Sequence, residues 1–226
     1  MRKWNDLPQD MQVEEIRKYY EILQKHKVGM VAKRIFDILV SGILIVLTSP
    51  IFLILSILIK LDSRGPVIFR QVRITTYGKK FRICKFRTMV NNAEKLGTQV
   101  TTKGDARVTR MGKLLRGCRL DELPQLFNIL TGDMTFVGTR PEVEKYVNQY
   151  TNEMKATLLL PAGVTSRASI EYKDEEKLLE DAENADKVYV EKVLPEKMKY
   201  NLQAMENFSF WEDIKTMFAT VVAVIR

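Results

Sequence analysis

Asp121 and Glu122 stand side by side in Arg116-Gly117-Cys118-Arg119-Leu120-Asp121-Glu122-Leu123-Pro124. Pro124 fits a first helical turn, which places both carboxylates at a helix N-terminus. Carboxylates in that position need do no more than cap the helix and complement its dipole. The same helix end also attracts phosphate. With Arg116 and Arg119 alongside, a carboxylate can be held near a phosphorus atom whose negative charge would otherwise repel it. One acid could then serve as a phosphoryl nucleophile while its neighbour holds a divalent cation or assists proton movement. Spacing alone does not choose between capping and catalysis.

Two further segments could bring cationic groups to the same chemistry. Gly138-Thr139-Arg140-Pro141-Glu142 presents one guanidinium from a turn, suited to a diphosphate or a uracil carbonyl, or simply solvated at the surface. Lys85 and Arg87 alternate along a strand-like run and so share a face, toward anionic substrate or lipid headgroups.

The composition narrows the field. Thirty-six Lys and Arg against 28 Asp and Glu leave a net charge of +8 over 226 residues, which points to an anionic partner: nucleic acid, a phosphorylated metabolite or anionic lipid. The two cysteines, Cys84 and Cys118, lie far apart, and His26 is the single histidine. That argues against most zinc sites, Ser-His-Asp triads and disulfide scaffolds. Cys84 sits among apolar strand residues and reads as inert packing.

Ahead of the candidate acids lies an anchor. Ile38 to Ile59 is a run of 22 residues without a charge, long enough at about 1.5 Å per residue to match a bilayer core. Lys33 and Arg34 precede it; Lys60, Arg64, Arg70 and Arg73 follow. Both flanks are therefore drawn to the cytoplasm, which a crossing helix cannot satisfy and a re-entrant one can. Ser49-Pro50, just past the middle, is the expected membrane helix break, since proline removes a helical hydrogen bond. The hydroxyls of Ser41, Thr48 and Ser49 could satisfy carbonyls freed there. A kinked helix that crosses remains the alternative; either way the chain beyond residue 60 is expected in the cytoplasm.

The remaining segments must position the acids. Residues 1–30 read as a solvated helical extension (Val13, Ile16, Tyr20, Leu23), 31–60 as the membrane helix and 61–226 as the cytoplasmic domain. Val67 to Arg73 and Phe81 to Phe86 read as strands of a hairpin turned at Tyr77-Gly78-Lys79. Asn91 to Leu96 reads as a short helix and Gly97 to Asp105 as a loop. Helical spacing starts at Met111, pauses at Gly117 and resumes through Leu120, Leu123, Leu126, Phe127 and Leu130 to Gly132. Met134 to Val137 is a short strand. Pro141 to Leu160 reads as helix, with Pro161-Ala162-Gly163 as its stop. Residues 171–206 read as charged helix interrupted at Pro195. Phe208 to Arg226 gathers its apolar side chains on one face, for core packing or for the membrane surface. The expected class is α+β: a re-entrant helix, then a mostly helical domain with a small hairpin.

These pieces, in this order, resemble the bacterial sugar transferases, the monotopic polyprenyl-phosphate phosphoglycosyl transferases. The similarity runs from about Lys33 to the C-terminus. It rests on Lys33-Arg34-Ile35-Phe36-Asp37, the apolar segment with Ser49-Pro50, and Gly65-Pro66-Val67-Ile68-Phe69-Arg70-Gln71. It continues through Lys85-Phe86-Arg87-Thr88-Met89, Leu120-Asp121-Glu122-Leu123-Pro124-Gln125-Leu126-Phe127-Asn128, Gly132-Asp133-Met134 and Gly138-Thr139-Arg140-Pro141-Glu142. Three positions depart from the pattern. Thr139 replaces a proline, Thr75 stands where the family has glycine, and Ser166-Arg167-Ala168-Ser169-Ile170-Glu171 replaces a Gln-Val-Asn-Gly-Arg-like stretch. The last departure leaves the sugar undetermined.

The resemblance implies transfer of a sugar 1-phosphate from a UDP-sugar to undecaprenyl phosphate, with release of UMP, at the start of surface glycan synthesis. It makes Asp121 the nucleophile and Glu122 its partner in Mg²⁺ binding or proton movement. Arg116, Arg140, Lys85 and Arg87 become substrate-binding candidates. The implied place is the cytoplasmic face of the bacterial inner membrane, with membrane lipid as a partner, no nucleic acid, and a homo-oligomer left open. The rival reading is an anchored basic protein that binds lipid or nucleic acid without catalysis, which leaves the acid pair unexplained.

Overall fold

The computed structural model describes residues 1–93, 105–172 and 184–225. Its longest element is a single helix, α2 (Lys27–Asp62), which carries the whole apolar run. One stripe of α2 faces the rest of the protein: Lys33, Asp37 and Ser41, then Leu44 and Ile45, then Phe52, Leu55 and Ile59. Apart from a gap between Ile45 and Phe52, these positions fall at helical spacing, so one side of the helix is docked near both of its ends. On the other side Leu39, Ile43, Val46, Leu47, Leu53, Ile54 and Ile57 lie exposed.

The helix is not interrupted at Ser49-Pro50, as a break there would require; it continues as one element through both residues. The reason is local. Pro50 has no N–H for the carbonyl of Val46, and the Ser49 hydroxyl donates to that carbonyl instead, at 2.8 Å. Thr48 donates likewise to Leu44, at 2.6 Å.

Both ends of α2 are tied to one body. Near its start, Arg34 donates to the carbonyls of Ile129 and Leu130 at 2.6 and 2.9 Å, and the Lys33 ammonium donates to the Val137 carbonyl at 2.9 Å. Asp37 accepts from the Thr135 hydroxyl at 2.7 Å. Near its end, Leu55 and Ile59 are buried with Phe86 and Leu115, and the Phe52 ring lies 5.3 and 5.7 Å from those of Phe86 and Phe127.

The hairpin forms as expected, from β1 (Ile68–Ile74) and β2 (Lys80–Phe86), paired antiparallel with Phe69 opposite Lys85. Tyr77 and Gly78 both take positive φ in the turn. After α3 (Arg110–Gly117) and a 3₁₀ turn at Leu120–Glu122 comes α4 (Gln125–Thr131), then β3 (Met134–Val137). Pro161-Ala162-Gly163 is not a simple stop: Ala162–Thr165 is a strand, β4, parallel to β3. The run from Pro141 to Leu160 is helical only at α5 (Glu144–Val147) and in a 3₁₀ stretch at Met154–Leu159.

Further on come α6 (Arg167–Glu171), α7 (Ala185–Val188), a π-turn at Tyr189–Val193, α8 (Leu194–Glu206) and α9 (Phe210–Ile225). Pro195 does not end the helical run: it lies where the π-turn passes into α8, and the chain is helical on both sides of it. The helix and loop expected between Asn91 and Asp105 fall largely outside the described residues, as does part of the charged run after 171.

The N-terminal extension is not a solvated helix. Leu7, Met11 and, from α1 (Glu14–Lys25), Ile16, Tyr19 and Leu23 are buried against Ala156, Leu159, Met205 and Phe208. At the other terminus α9 meets α2, with the Phe36 and Phe210 rings 5.5 Å apart and Lys33 paired to Asp213 at 2.5 Å. Trp211, Phe218, Val221 and Val222 of α9 remain exposed.

Candidate active site

The acid pair lies on the 3₁₀ turn between α3 and α4. Arg119, just before it, takes left-handed backbone angles (φ 56°), an unfavourable conformation for a residue with a Cβ, which turns the chain sharply out of α3. Pro124 then caps α4. Asp121 and Glu122 therefore precede that helix instead of occupying its first turn.

Asn128 fixes this turn against the hairpin. Its amide oxygen accepts from the Cys84 amide at 2.8 Å and its amide nitrogen donates to the Arg82 carbonyl at 2.9 Å. It thus mimics a neighbouring strand on the edge of β2. That clamp sets Lys85, on β2, facing Glu122 with 3.0 Å between ammonium and carboxylate.

Arg140 arrives from the other side. The Gly138 amide donates to Thr165 and the Gly163 amide to Thr139, at 2.9 and 2.8 Å, which prolongs the β3–β4 pairing into the turn. Only glycines allow it: a Cβ on Gly163 would lie 2.2 Å from the Gly138 nitrogen. So Thr139, despite not being proline, is held by its carbonyl. Thr75 ties the hairpin to the same region, its hydroxyl donating to the Asp133 carbonyl and accepting from the Ala162 amide at 2.7 and 3.1 Å. Arg140 reaches Glu122 at 2.8 Å.

Lys85 and Arg140 both bind the same oxygen of Glu122, Oε1. Burial works to raise the pKa of Glu122, but Arg140 and Lys85 overturn it and hold the carboxyl well below the usual range. Asp121 differs. Its carboxylate is buried and makes no hydrogen bond among the described residues. Burial raises its pKa, against the pull of Lys85, with Glu122 adding to the rise. Burial likewise lowers the pKa of Lys85, opposed by Glu122. Two adjacent carboxyls thus occupy opposite electrostatic settings: one a neutralised anion, the other a carboxylate short of partners.

Of the other candidates, Arg116 lies in the last turn of α3 with its charge felt by Asp121. Arg87 is not brought to the acids. It is buried, and its guanidinium donates to Ser63 (carbonyl 2.6 Å, hydroxyl 2.9 Å) where α2 ends. The strand stops at Phe86, so the shared face expected for Lys85 and Arg87 ends before Arg87. The parts played by Asn128, Thr75 and Gly163 have no signal in the sequence, because they depend on pairing between distant segments.

Mg²⁺ would find two carboxylates here. Among the described residues no three acids, histidines or cysteines converge. That donor set fits an ion which keeps several waters and shares its coordination with substrate phosphates. Both cations take Oε1 of Glu122, which leaves Oε2 for an ion, and Asp121 has both of its oxygens.

A model of the bacterial sugar transferase family matches residues 28–226. The chain is 38% identical over 196 residues to a UDP-N-acetylgalactosamine-undecaprenyl-phosphate N-acetylgalactosaminephosphotransferase of Aeromonas hydrophila, covering 85% of this chain and 43% of that protein. It is 38% identical over 200 residues to a UDP-glucose:undecaprenyl-phosphate glucose-1-phosphate transferase of Klebsiella pneumoniae, covering 86% and 40%. An uncharacterised sugar transferase of Bacillus subtilis is 33% identical over 196 residues, covering 87% of this chain and 88% of its own length. The chain thus spans about two fifths of the Aeromonas and Klebsiella proteins. The match covers the long apolar helix, the acid pair and the Arg140 turn together: the chain belongs to the bacterial sugar transferase family.

Proposed function

We propose that this protein transfers a sugar 1-phosphate from a UDP-sugar to undecaprenyl phosphate at the cytoplasmic face of the bacterial inner membrane. The observation that carries this reading is the contrast within the acid pair: Asp121 buried without a hydrogen bond among the described residues, Glu122 pinned by Lys85 and Arg140. A carboxylate short of partners beside fixed cations suits nucleophilic attack on a diphosphate.

In the first step an Asp121 oxygen bonds to the β-phosphorus, the bond from that phosphorus to the bridging oxygen breaks, and UMP leaves with the bridging oxygen. In the second, an oxygen of the lipid phosphate bonds to the same phosphorus and the aspartyl oxygen departs, restoring the carboxylate. Arg140 and Lys85 offset negative charge around the phosphorus in both steps, and Arg116 adds to that field. Mg²⁺, held by Asp121 and Glu122, would neutralise phosphate charge. Splitting the transfer lets UMP depart before the lipid enters, so one site can serve both substrates in turn.

The anchor supports the same reading. We read α2, held at both ends by one body, as re-entrant and bent at Pro50, with its exposed apolar side toward lipid. The exposed apolar side chains of α9, next to α2, fit the same lipid boundary. The site is then fixed near the level of the acceptor's headgroup, which raises the effective concentration of one substrate.

The test is release of UMP from a panel of UDP-sugars with undecaprenyl phosphate and Mg²⁺. A glycosyltransferase that moves the bare sugar would release UDP, and a lipid- or nucleic-acid-binding module would release neither; either result overturns the assignment.

A further inference from the structure

Arg140 has two carboxylates to choose between. Its guanidinium donates to Glu122 at 2.8 Å, yet Glu142 stands only two residues further along the same turn. The Arg140 side chain is 35% exposed, so packing alone does not stop it from turning to the acid beside it in sequence. Glu142 is buried, and a buried anion short of partners draws the closest cation strongly. Arg140 stays with Glu122 only if Glu142 is occupied by other groups.

Two residues occupy it. The Tyr189 hydroxyl donates to Oε1 of Glu142 at 2.5 Å, and Nη1 of Arg73 lies 3.7 Å from Oε2. We propose that Tyr189 and Arg73 are positioning residues: by engaging both oxygens of Glu142 they leave Arg140 to Glu122, and so keep a cation at the acid pair. The inference rests on the proposed transferase reading and adds what directs Arg140 to the site.

Both partners of Glu142 are themselves held. Tyr189 opens the π-turn ahead of α8, a widened turn of the kind that recurs at functional sites. Its ring is buried with Val143, Leu194 and Met198, 4.8 Å from the ring of Tyr146. The Lys197 ammonium donates to the Tyr189 hydroxyl at 3.4 Å, so the hydroxyl's own proton is turned to Glu142. On β1, Nε and Nη2 of Arg73 both donate to Oε1 of Gln71, at 3.0 and 2.8 Å, and Nη1 donates to the Pro141 carbonyl at 3.1 Å. The Ile74 amide donates to the Glu142 carbonyl at 3.0 Å and fixes the backbone of that acid as well. Burial lowers the pKa of Arg73; Glu142 opposes the fall and the like charge of Arg140 adds to it. The two guanidiniums therefore repel each other, which favours Arg140 on the side of Glu122.

The experiment measures kcat/KM for UMP release from a panel of UDP-sugars by the full chain in nanodiscs. It compares the original protein, Tyr189→Phe, Glu142→Gln and the double variant. Tyr189→Phe removes one hydroxyl and is expected to lower kcat/KM by about tenfold, as Arg140 turns to the half-released Glu142. Glu142→Gln keeps the shape but no longer draws a cation, so adding Tyr189→Phe to it should change kcat/KM by less than about twofold. A hydroxyl with a merely structural role predicts the same loss in both backgrounds. That result, or full activity in Tyr189→Phe, overturns the inference while leaving the transferase reading intact. A second arm needs no donor. Glu122→Gln should lower the melting temperature less in Tyr189→Phe than in the original protein, because Arg140 has there already left Glu122. Equal drops overturn the inference even if the Glu142 variants do not fold. Absence of UMP release from every donor with the original protein removes the transferase reading, and the melting arm then decides the placement of Arg140.

Discussion

The Ser49 hydroxyl donates to the Val46 carbonyl at 2.8 Å, and Val46 is the residue whose carbonyl Pro50 deprives of its amide donor. A side chain one residue before the proline thus replaces the missing backbone bond, and the helix continues through it. In a lipid environment, where water cannot serve, such a substitute matters more than in solution.

That pairing predicts a dependence between two substitutions. Ser49→Ala should destabilise the protein by about 1 kcal/mol, the usual worth of a hydrogen bond whose acceptor is left bare. With Pro50→Ala already in place, residue 50 supplies its own amide, and the same change should be nearly neutral. Unfolding in detergent of the two single variants and the double variant measures the difference. Equal costs in both backgrounds would show that the hydroxyl is not replacing the amide.

Asp121→Asn should reduce sugar phosphate transfer on the order of 10³-fold or more, as loss of a nucleophile does. It should also stabilise the fold at neutral pH. The folded-state pKa of Asp121 is raised by burial, against Lys85, so the stability favouring the protonated form is fully present below the ordinary aspartate pKa. It is lost as pH rises through the folded-state value. The melting temperature of the variant should therefore exceed that of the original protein at pH 7, with the gap closing in acid. A lower melting temperature at pH 7 contradicts this.

Glu122→Gln should cost about 2 kcal/mol, because it strips the anion from a part-buried Lys85 and from Arg140. Adding Lys85→Met should recover much of that loss by removing the stranded charge. The depressed pKa of Glu122, set by Arg140 and Lys85 against burial, makes its contribution present above the ordinary glutamate pKa and lost only as pH falls through the lower folded value. Chemical denaturation of the single and double variants reads the coupling. Additive losses would mean that Lys85 does not depend on Glu122.

A re-entrant α2 places residues 1–25 on the same side of the membrane as the acid pair. In a variant with Cys84 and Cys118 replaced, single cysteines at exposed Lys3 and Lys113 should both resist an impermeant thiol reagent in intact cells and react once the membrane is opened. Labelling at Lys3 alone in intact cells would establish a crossing helix instead.

Much of this was legible in the residues. The uncharged run from Ile38 to Ile59 announces a membrane helix by composition, and β-branched strands around Tyr77-Gly78 announce a hairpin. The acid pair was visible by type and order. What stayed hidden depends on pairing across the chain. Lys33, Asp37 and Ser41 look like the polar start of an anchor, yet they are buried because β3, α4 and α9 pack over this part of α2. The four-residue strand β4 has no alternating pattern to read, and its Pro-Ala-Gly lead resembles a helix stop. Arg87 looks like a substrate ligand by its basic neighbours, yet it closes the end of α2. Cluster residues Ile16 and Leu23 keep a helical period, but the period does not say what covers them.

The packing of the first helix has a bearing on assembly during synthesis. Leu23 belongs to a core completed by Met205 and Phe208, near the opposite end of the chain. While the ribosome is still making the middle of the protein, that core lacks Ala156, Leu159, Met205 and Phe208, four of its nine buried members, and contacts this far apart in the chain are slow to close. Final closure of the N-terminal arm is therefore a late event in folding.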